Sequence, residues 1–508
     1  MTTRSRPPAE VIVGLDVGTT ATKVVAFGLG SPWQHAASRE YPLLEPQQGW
    51  QVQEPGTVVA AMWAALSECV AAAGDAKTIG LSVSTGMHGL LGLDASMRPL
   101  TPLLTWADAR SRDEARELRS SGAATDLQRV GGTPVHSMSP LTKLMWFSRH
   151  DAATCAAVRW WVGLKDYLLW HLTGHLVTEL SSASGTGLLH LAARSWNPAA
   201  LELAGVSADR LPPVLATTDT LGLSGEAATR LGLPAGTPVV LGAGDGPLGN
   251  LGVAATAPGV VGLSLGTSGA VRMVVPEPRT DPDGTLFCYA LTDSAWVVGG
   301  AVSNGGIVVR WAGTALAPDL VATPAGPTVD EQVLELAAAV PAGSEGLVML
   351  PYLLSERAPL WDPDLPGAYL GLSRRHTRGH LVRAAVEGVC LQLSTIVDQL
   401  DRIEPVTSVR VTGGVFRSPL WRDVLAAVLN RPLHVAADAG GSALGAAALG
   451  LYALGRSSRL EDAPALLAPR SEEEAQVRPD ASLVATYART RTALPRLIRA
   501  LDAVTDLF

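Results

Sequence analysis

A chain of 508 residues is too long for one hydrophobic core, so two domains of about 250 residues each are expected. With 47% apolar and 17% charged residues it has material for large buried cores and too little charge for disorder. A net charge of −8 leaves no basic footprint for nucleic acid, although a local site can still attract an anion. Cys69, Cys155, Cys288 and Cys390 show no CxxC spacing and read as buried thiols rather than a disulfide framework or a zinc site.

The opening MTTRSRPPAE has basic residues but no apolar run after it, so no signal peptide is read and the cytoplasm is the expected location. Two short apolar runs, residues 11–13 and 23–27, flank a Gly/Thr-rich stretch and predict a hairpin whose loop leaves backbone free for a ligand. Residues 57–73 read as a helix. From Pro238, PVVLGAGDGPLGNLG reads as strand, tight glycine turn and helix. Residues 253–259 (VAATAPG) form a small-residue linker, which sets the expected domains at 1–254 and 255–508. The second half repeats the design, with a hairpin over 260–265 and 270–275 and, from Ser408, the strand–turn–helix SVRVTGGVFRSPLW. SALGAAALGLYALG from Ser442 is too short for a membrane span and reads as a buried helix. Residues 471–508 read as C-terminal helices that Pro495 should interrupt or kink. Alternating strands and helices in two halves predict two α/β domains of common ancestry.

The hairpin loops are related in sequence: VGLDVGTT at 13–20 returns as VGLSLGTS at 261–268. A Gly-Thr turn offers backbone N–H groups and hydroxyls to phosphate. One such loop is more often just a turn, but two at the head of two related domains suggest a polyphosphate gripped from both sides of a cleft. Only one of them then needs a carboxylate. Asp16 would hold Mg²⁺ through water, and Ser264 would leave the second loop without a competing charge. The plainer alternative for Asp16, a strand-end residue capping a turn, stays open.

The duplicated loops resemble those of the actin-like ATPase superfamily. Over almost its whole length the chain resembles the FGGY carbohydrate kinases, through MSPLTKLMWFSRH (138–150) and GAYLGLSRRHTRGHLVRAAVE (367–387). Within that family it is most similar to the gluconate kinases. STGMHGLLGLD, PLTPLLTWADARS, GGTPVHSMSPLTKLMW, KDYLLWHLTG, GDGPLGNLGV and above all TLFCYALTDSAWVVGGAVSNGGIVVRW carry the likeness. One departure stands out. Where similar gluconate kinases have Arg-Thr, this chain has Val130 and Gly131, with Arg129 displaced by one.

The resemblance implies an α/β fold of two actin-like (ribonuclease H-like) domains flanking a nucleotide- and substrate-binding cleft. It implies ATP and Mg²⁺ as cofactors and phosphorylation of D-gluconate to 6-phospho-D-gluconate. Asp245 becomes the general base that takes the proton of the sugar hydroxyl, a step that phosphoryl transfer requires; a turn aspartate or helix N-cap is the alternative. Phosphate and nucleotide contacts fall to Gly18, Thr19, Thr20, Lys23, Gly266, Thr267, Gly306, Gly414 and Ser418, although Lys23 also suits a solvated strand lysine. Substrate contacts fall to Met87, His88, Trp106, Asp108, Arg110 and Met138, with Lys165 a further candidate. Arg110 offers a forked donor suited to a carboxylate. Glu356 and Arg357 in SERAP read as a structural ion pair. No nucleic acid or membrane partner is expected, and a homodimer is left open. Competing readings are another FGGY substrate such as xylulose, a chaperone-like or filament-forming ATPase, and an inactive sugar-acid sensor.

Overall fold

The computed structural model describes residues 8–322, 326–354, 356–362, 364–436, 441–467 and 475–505. The chain forms two compact units, and neither is a continuous half of the sequence. The first comprises Met1–Ala257, Val274–Val298 and Ala439–Ser471; the second comprises Pro258–Met273, Gly299–Asp438 and Glu472–Phe508. A single cut at 254/255 therefore does not describe them, because two segments of the second half build into the first unit.

The first unit is organised on strands β1 (Glu10–Val17), β2 (Ala21–Gly28), β3 (Gln34–Glu40), β4 (Lys77–Thr85), β5 (Thr220–Gly222) and β6 (Pro238–Gly244), in the sheet order β5-β6-β4-β1-β2-β3. The expected hairpin is β1–β2, with Asp16 opposite Lys23. Strand β4 runs parallel to both β1 and β6, so the carboxyl ends of these three strands emerge on one edge. Ligands of α/β sheets bind outside such ends. Residues 11–15 of β1 are buried on both faces, as expected of a central strand covered by helices.

Helix α1 (Pro55–Ala73) buries Val58, Met62, Ala65, Leu66 and Cys69, a helical-period stripe, into the core it shares with β1, β2 and β4. The helices that carry site residues are α2 (Ala123–Gly131), α3 (Pro140–His150), α4 (Leu164–Thr173), α5 (Leu180–Ser184) and α6 (Asp245–Gly252). The predicted Ala/Gly-rich helix, Gly441–Ala453, belongs to this unit and packs on β1, β4 and α6. Its small residues explain how. A Cβ on Gly14 would lie 2.1 Å from the Ala443 carbonyl oxygen, and one on Gly445 would lie 1.9 Å from that of Leu248. Backbone meets backbone there, which a composition rich in Ala and Gly permits.

In the second unit, β7 (Val260–Leu265), β8 (Gly269–Val275), β9 (Ser408–Thr412), β10 (Leu433–Val435) and β11 (Ala475–Val477) follow the order β8-β7-β9-β10-β11, in a seven-stranded sheet that continues beyond β8 through Trp296–Val302 to Phe287–Ala290. Strands β7 and β8 are antiparallel, β7/β9 and β9/β10 parallel, and β10/β11 antiparallel. This is the pattern of β2-β1-β4-β6-β5, so the sequence repeat is a repeat of topology. The two glycine turns read alike in sequence are not equivalent in it, however: β9 holds the position of β4, one strand inward from that of β6. The helices are α7 (Gly306–Leu316), α8 (Val329–Ala338), α9 (Arg378–Ile403), α10 (Pro419–Leu429) and α11 (Ala481–Asp502).

Pro495 does not interrupt α11, which runs through it unbroken. Tyr487, Leu494 and Leu501, spaced by seven, are buried on both sides of the proline and hold the helix down despite the lost hydrogen bond. Helices α1 and α9 are long and apolar enough to cross a membrane, but 56% and 83% of their apolar windows are buried inside the fold. All four cysteines are free and buried, as expected.

The backbone contact at Gly445 makes a direct prediction. Gly445→Ala should lower unfolding stability by about 2–3 kcal/mol in urea titration, because the overpacked contact is with backbone; an unchanged midpoint would contradict this packing.

Candidate active site

Asp16, Ser84 and Asp245 come together at the carboxyl ends of β1, β4 and β6. Asp16 is paired in register with Ser84, whose hydroxyl donates to Asp16 Oδ1 at 2.9 Å. Gly244 is paired with Thr85, and Asp245 follows as the first residue of α6. There its charge favours the positive end of the helix. The Asp245 carboxylate accepts from Gly246 N at 2.7 Å, and its carbonyl accepts from Ser442 Oγ at 3.0 Å. Burial, and then the charge of Asp245, push the Asp16 carboxyl up to about 6, while Ser84, Lys23 and Lys165 pull it back. Lys23 is solvent-exposed and lies opposite Asp16 in the hairpin.

The first loop turns three successive carbonyls into the protein. Gly18 O accepts from Tyr41 Oη at 2.7 Å, Thr19 O from Gln53 Nε2, and Thr20 O from Tyr41 N at 3.0 Å. Trp106 Nε1 donates to Thr19 Oγ1 at 3.0 Å, so the tryptophan steadies the loop. The second loop does the same with other partners. Gly266 O accepts from Gly306 N at 2.7 Å, Thr267 O from Gly305 N and Ile307 N at 3.2 Å each, and Ser268 O from Gly266 N at 2.8 Å. A loop whose carbonyls face inward does not repel an anion on its outer side. Within the second unit, Gly266, Thr267, Gly306, Gly414 and Ser418 line one open pocket of about 760 Å³, with Val309, Thr328, Leu334, Val415 and Trp421. This volume is in the range of nucleotide-sized ligands. A Cβ on Gly306 would lie 2.8 Å from Gly266 O, so glycine is required where the loop docks on α7. Ser264 lies in contact with Arg272, whose Nη1 is 3.4 Å from its Oγ.

The sugar-side candidates divide into two sets. Met87 fills the space against Gly185 and Gly244, where added Cβ atoms would come within 2.7 Å of its Cε and 2.5 Å of its Sδ. His88 Nδ1 lies 2.7 Å from Gly185 O. These two residues stand beside the strand ends that carry Asp245. Asp108 and Arg110 instead face each other: Nε to Oδ1 is 2.8 Å and Nη2 to Oδ2 is 2.9 Å, with both side chains buried. The Arg110 fork is thus engaged by Asp108, and its guanidinium lies 3.8 Å over the Trp50 ring. Met138 is buried, and its backbone N–H is bound to His136. Arg129 sits on the exposed face of α2, paired with Asp126 at 2.8 Å, and Gly131 is buried.

Two buried lysines organise this region, and their acceptors count their protons. Lys165 Nζ donates to the carbonyls of Val83, Leu241 and Ala243, with Glu179 Oε1 at 3.7 Å. Three carbonyls require three N–H groups, hence an ammonium. Burial pushes Lys165 down, and Glu179 and Asp166 pull it back up. The Lys165 ammonium is therefore turned to protein carbonyls under the strand ends. It clamps the irregular stretch of β6 at Gly242, whose φ is +78° and whose Cβ would lie 1.8 Å from Val83 O. Lys143 on α3 was not apparent as a site residue in the sequence. Its Nζ donates to only two carbonyls, His88 O and Thr105 O at 2.7 Å each, which a neutral amine satisfies. Burial pushes it down to about 7. Its signal was a lone lysine in the apolar face of MSPLTKLMW.

Glu356 and Arg357 act separately on one segment. The Glu356 carboxylate accepts from Ser303 N, Asn304 Nδ2 and Gln392 Nε2, while the Arg357 guanidinium donates to Ser303 Oγ and Val302 O. Among the described residues no group of three or more His, Cys, Asp and Glu could cage a metal ion.

Comparisons with known proteins match the chain over most of its length. The model for the FGGY family of carbohydrate kinases, N-terminal domain, matches residues 11–252, and that for the C-terminal domain matches residues 261–454. The chain is 36% identical over 450 residues to a gluconokinase of Bacillus subtilis, covering 88% of each chain. It is 28% identical over 457 residues to a xylulose kinase of the same organism, covering 89% and 90%. Among solved structures it is similar to a gluconate kinase of Lactobacillus acidophilus (TM-score 0.90, 31% identity, 98% of each chain). It is equally similar to a xylulose kinase of that organism (TM-score 0.92, 31% identity, 98% and 100%).

Lys143 makes the testable point. Its folded pKa lies below that of the unfolded chain, so between about pH 7 and 10 the unfolded state binds the extra proton and stability gained from Lys143 rises with pH. Relative to Lys143→Met, wild-type unfolding free energy should increase by up to about 1.4 kcal/mol per pH unit from pH 7 to 9. A difference that stays flat between pH 7 and 9 would show that Lys143 is charged in the fold.

Proposed function

The chain belongs to the FGGY family of carbohydrate kinases, and on that footing we propose that it transfers the γ-phosphoryl group of ATP to the 6-hydroxyl of D-gluconate, in the cytoplasm. The carrying observation is Asp245, held at the end of β6 next to Asp16 and bracketed by Gly244 and Gly246. The gluconokinase relative supports the substrate.

Asp245 accepts the proton as the hydroxyl oxygen attacks phosphorus, and the bond to the bridging oxygen of ADP breaks. The inward-facing carbonyls of both loops keep repulsion away from the phosphate chain. Mg²⁺ fits the donors: the neighbouring Asp16 and Asp245 carboxylates are hard oxygen ligands whose mutual repulsion a cation relieves, and two carboxylates leave room for the water Mg²⁺ retains. Asp16 would hold it, and the ion would neutralise charge on the transferred group. Met87 and His88 border the sugar, and Trp106 fixes Thr19 for phosphate. The xylulose kinase likeness favours one second reading, a neutral ketose at the same site.

Gluconate-dependent ADP formation tests the proposal. Asp245→Asn should lower kcat by about 10²–10⁴-fold with KM changed less than about threefold. A variant that keeps a tenth of wild-type kcat would remove Asp245 from the base role.

A further inference from the structure

Glu356 is fully buried in the second unit, and its carboxylate is met only by donors. Oε1 accepts from Ser303 N at 2.9 Å and Arg357 N at 2.7 Å. Oε2 accepts from Asn304 Nδ2 at 2.7 Å and Gln392 Nε2 at 2.5 Å. Both oxygens must therefore be acceptors, which a carboxylate supplies and an amide does not.

Asn304 is buried as completely. Its Nδ2 also donates to Leu354 O, and its Oδ1 accepts from Leu354 N, at 2.9 Å each, so the amide has one orientation. Arg357 holds the residues just before it, through Ser303 Oγ at 3.2 Å and Val302 O at 2.9 Å. The three residues that follow Asn304 carry the N–H groups that meet the second phosphate loop. Gly305 N and Ile307 N donate to Thr267 O, and Gly306 N donates to Gly266 O. The approach is close, since a Cβ on Gly305 would lie 3.0 Å from Gly266 O and one on Gly306 would lie 2.8 Å from it. Gly266, Thr267 and Gly306 line the nucleotide-sized pocket, and Asn304 and Glu356 do not. Any effect of Glu356 on a nucleotide there is transmitted through this backbone.

We propose that Glu356 is a positioning residue for the nucleotide: through Ser303 and Asn304 it fixes the N–H groups of Gly305, Gly306 and Ile307 that turn the second loop's carbonyls inward. Without that hold the carbonyls of Gly266 and Thr267 are free to face the phosphates, and the repulsion weakens ATP rather than the sugar. This rests on the ATP site proposed above and deepens it. An amide at position 356 sets an NH2 against Ser303 N and Arg357 N in one orientation, and against Asn304 Nδ2 and Gln392 Nε2 in the other. Gln392 can answer by turning its Oε1, a buried atom without a partner, but Asn304 is locked by Leu354.

Glu356→Gln should raise KM for MgATP about tenfold or more, with KM for D-gluconate changed less than about threefold. A general loosening of the fold would not separate the two constants. An unchanged KM for MgATP, or equal rises in both, would overturn the role of Glu356. If that variant does not fold, Gln392→Met removes one donor and fills its space with a side chain of similar length. It should raise KM for MgATP about threefold, and no rise there overturns the role as well. Calorimetric titration with MgATP separates this from failure of the ATP reading. Binding about tenfold weaker in Glu356→Gln than in the wild type supports the role whatever the sugar. Equal affinity in the two overturns it and leaves the ATP reading standing, and a wild type that binds no MgATP defeats both.

Discussion

Lys165 donates to the carbonyls of Val83, Leu241 and Ala243, and the position of the Asp245 carboxylate depends on that arrangement. Strand β6 leaves regular pairing with β4 between Val240 and Ala243, which frees carbonyls in a buried place. Unpaired, each would cost about 1–3 kcal/mol. One ammonium satisfies them together and needs a counter-charge, which Glu179 supplies. Glu179 is held in turn by the backbone N–H groups of Ser181 and Ser182 at the start of α5. The same α5 ends at Ser184 and Gly185, which receive the strand carrying Tyr289 and the ring of His88. A single buried charge thus ties the turn before Asp245 to the segments that hold His88 and Tyr289.

The two hairpin loops show how one device serves two units. In each, three successive carbonyls are consumed by protein donors: by Tyr41 and Gln53 in the first, by Ser268's turn and the start of α7 in the second. The difference between the loops lies in the strand before them. Asp16 brings a carboxylate next to Asp245, whereas Ser264 lies beside Arg272. The first loop thus follows a carboxylate and the second a neutral hydroxyl near a guanidinium.

Much of this was legible in the sequence because its signals are local. Glycines between apolar runs marked both hairpins and the turn at Asp245, and small residues marked the helix Gly441–Ala453. Long-range pairing was not legible. That this helix packs on β1, or that Tyr289 meets His88, depends on how segments return through the fold. Arg110 looked like a ligand fork because pairing with Asp108, two residues away, requires a turn the sequence does not announce. The two lysines differ in how many carbonyls surround them and in the Glu179 carboxylate beside Lys165, which are properties of packing alone. The interruption expected at Pro495 does not occur, since burial at Tyr487, Leu494 and Leu501 outweighs its local penalty.

The central claim is that this FGGY kinase has a sugar site matched to a sugar acid. The most direct measurement is wild-type kcat/KM with MgATP for D-gluconate, D-xylulose, L-ribulose and glycerol, with the product position read by phosphorus NMR. The account predicts gluconate ahead of every neutral sugar by at least about tenfold and phosphate on the 6-oxygen. A ketose turned over faster than gluconate would contradict it.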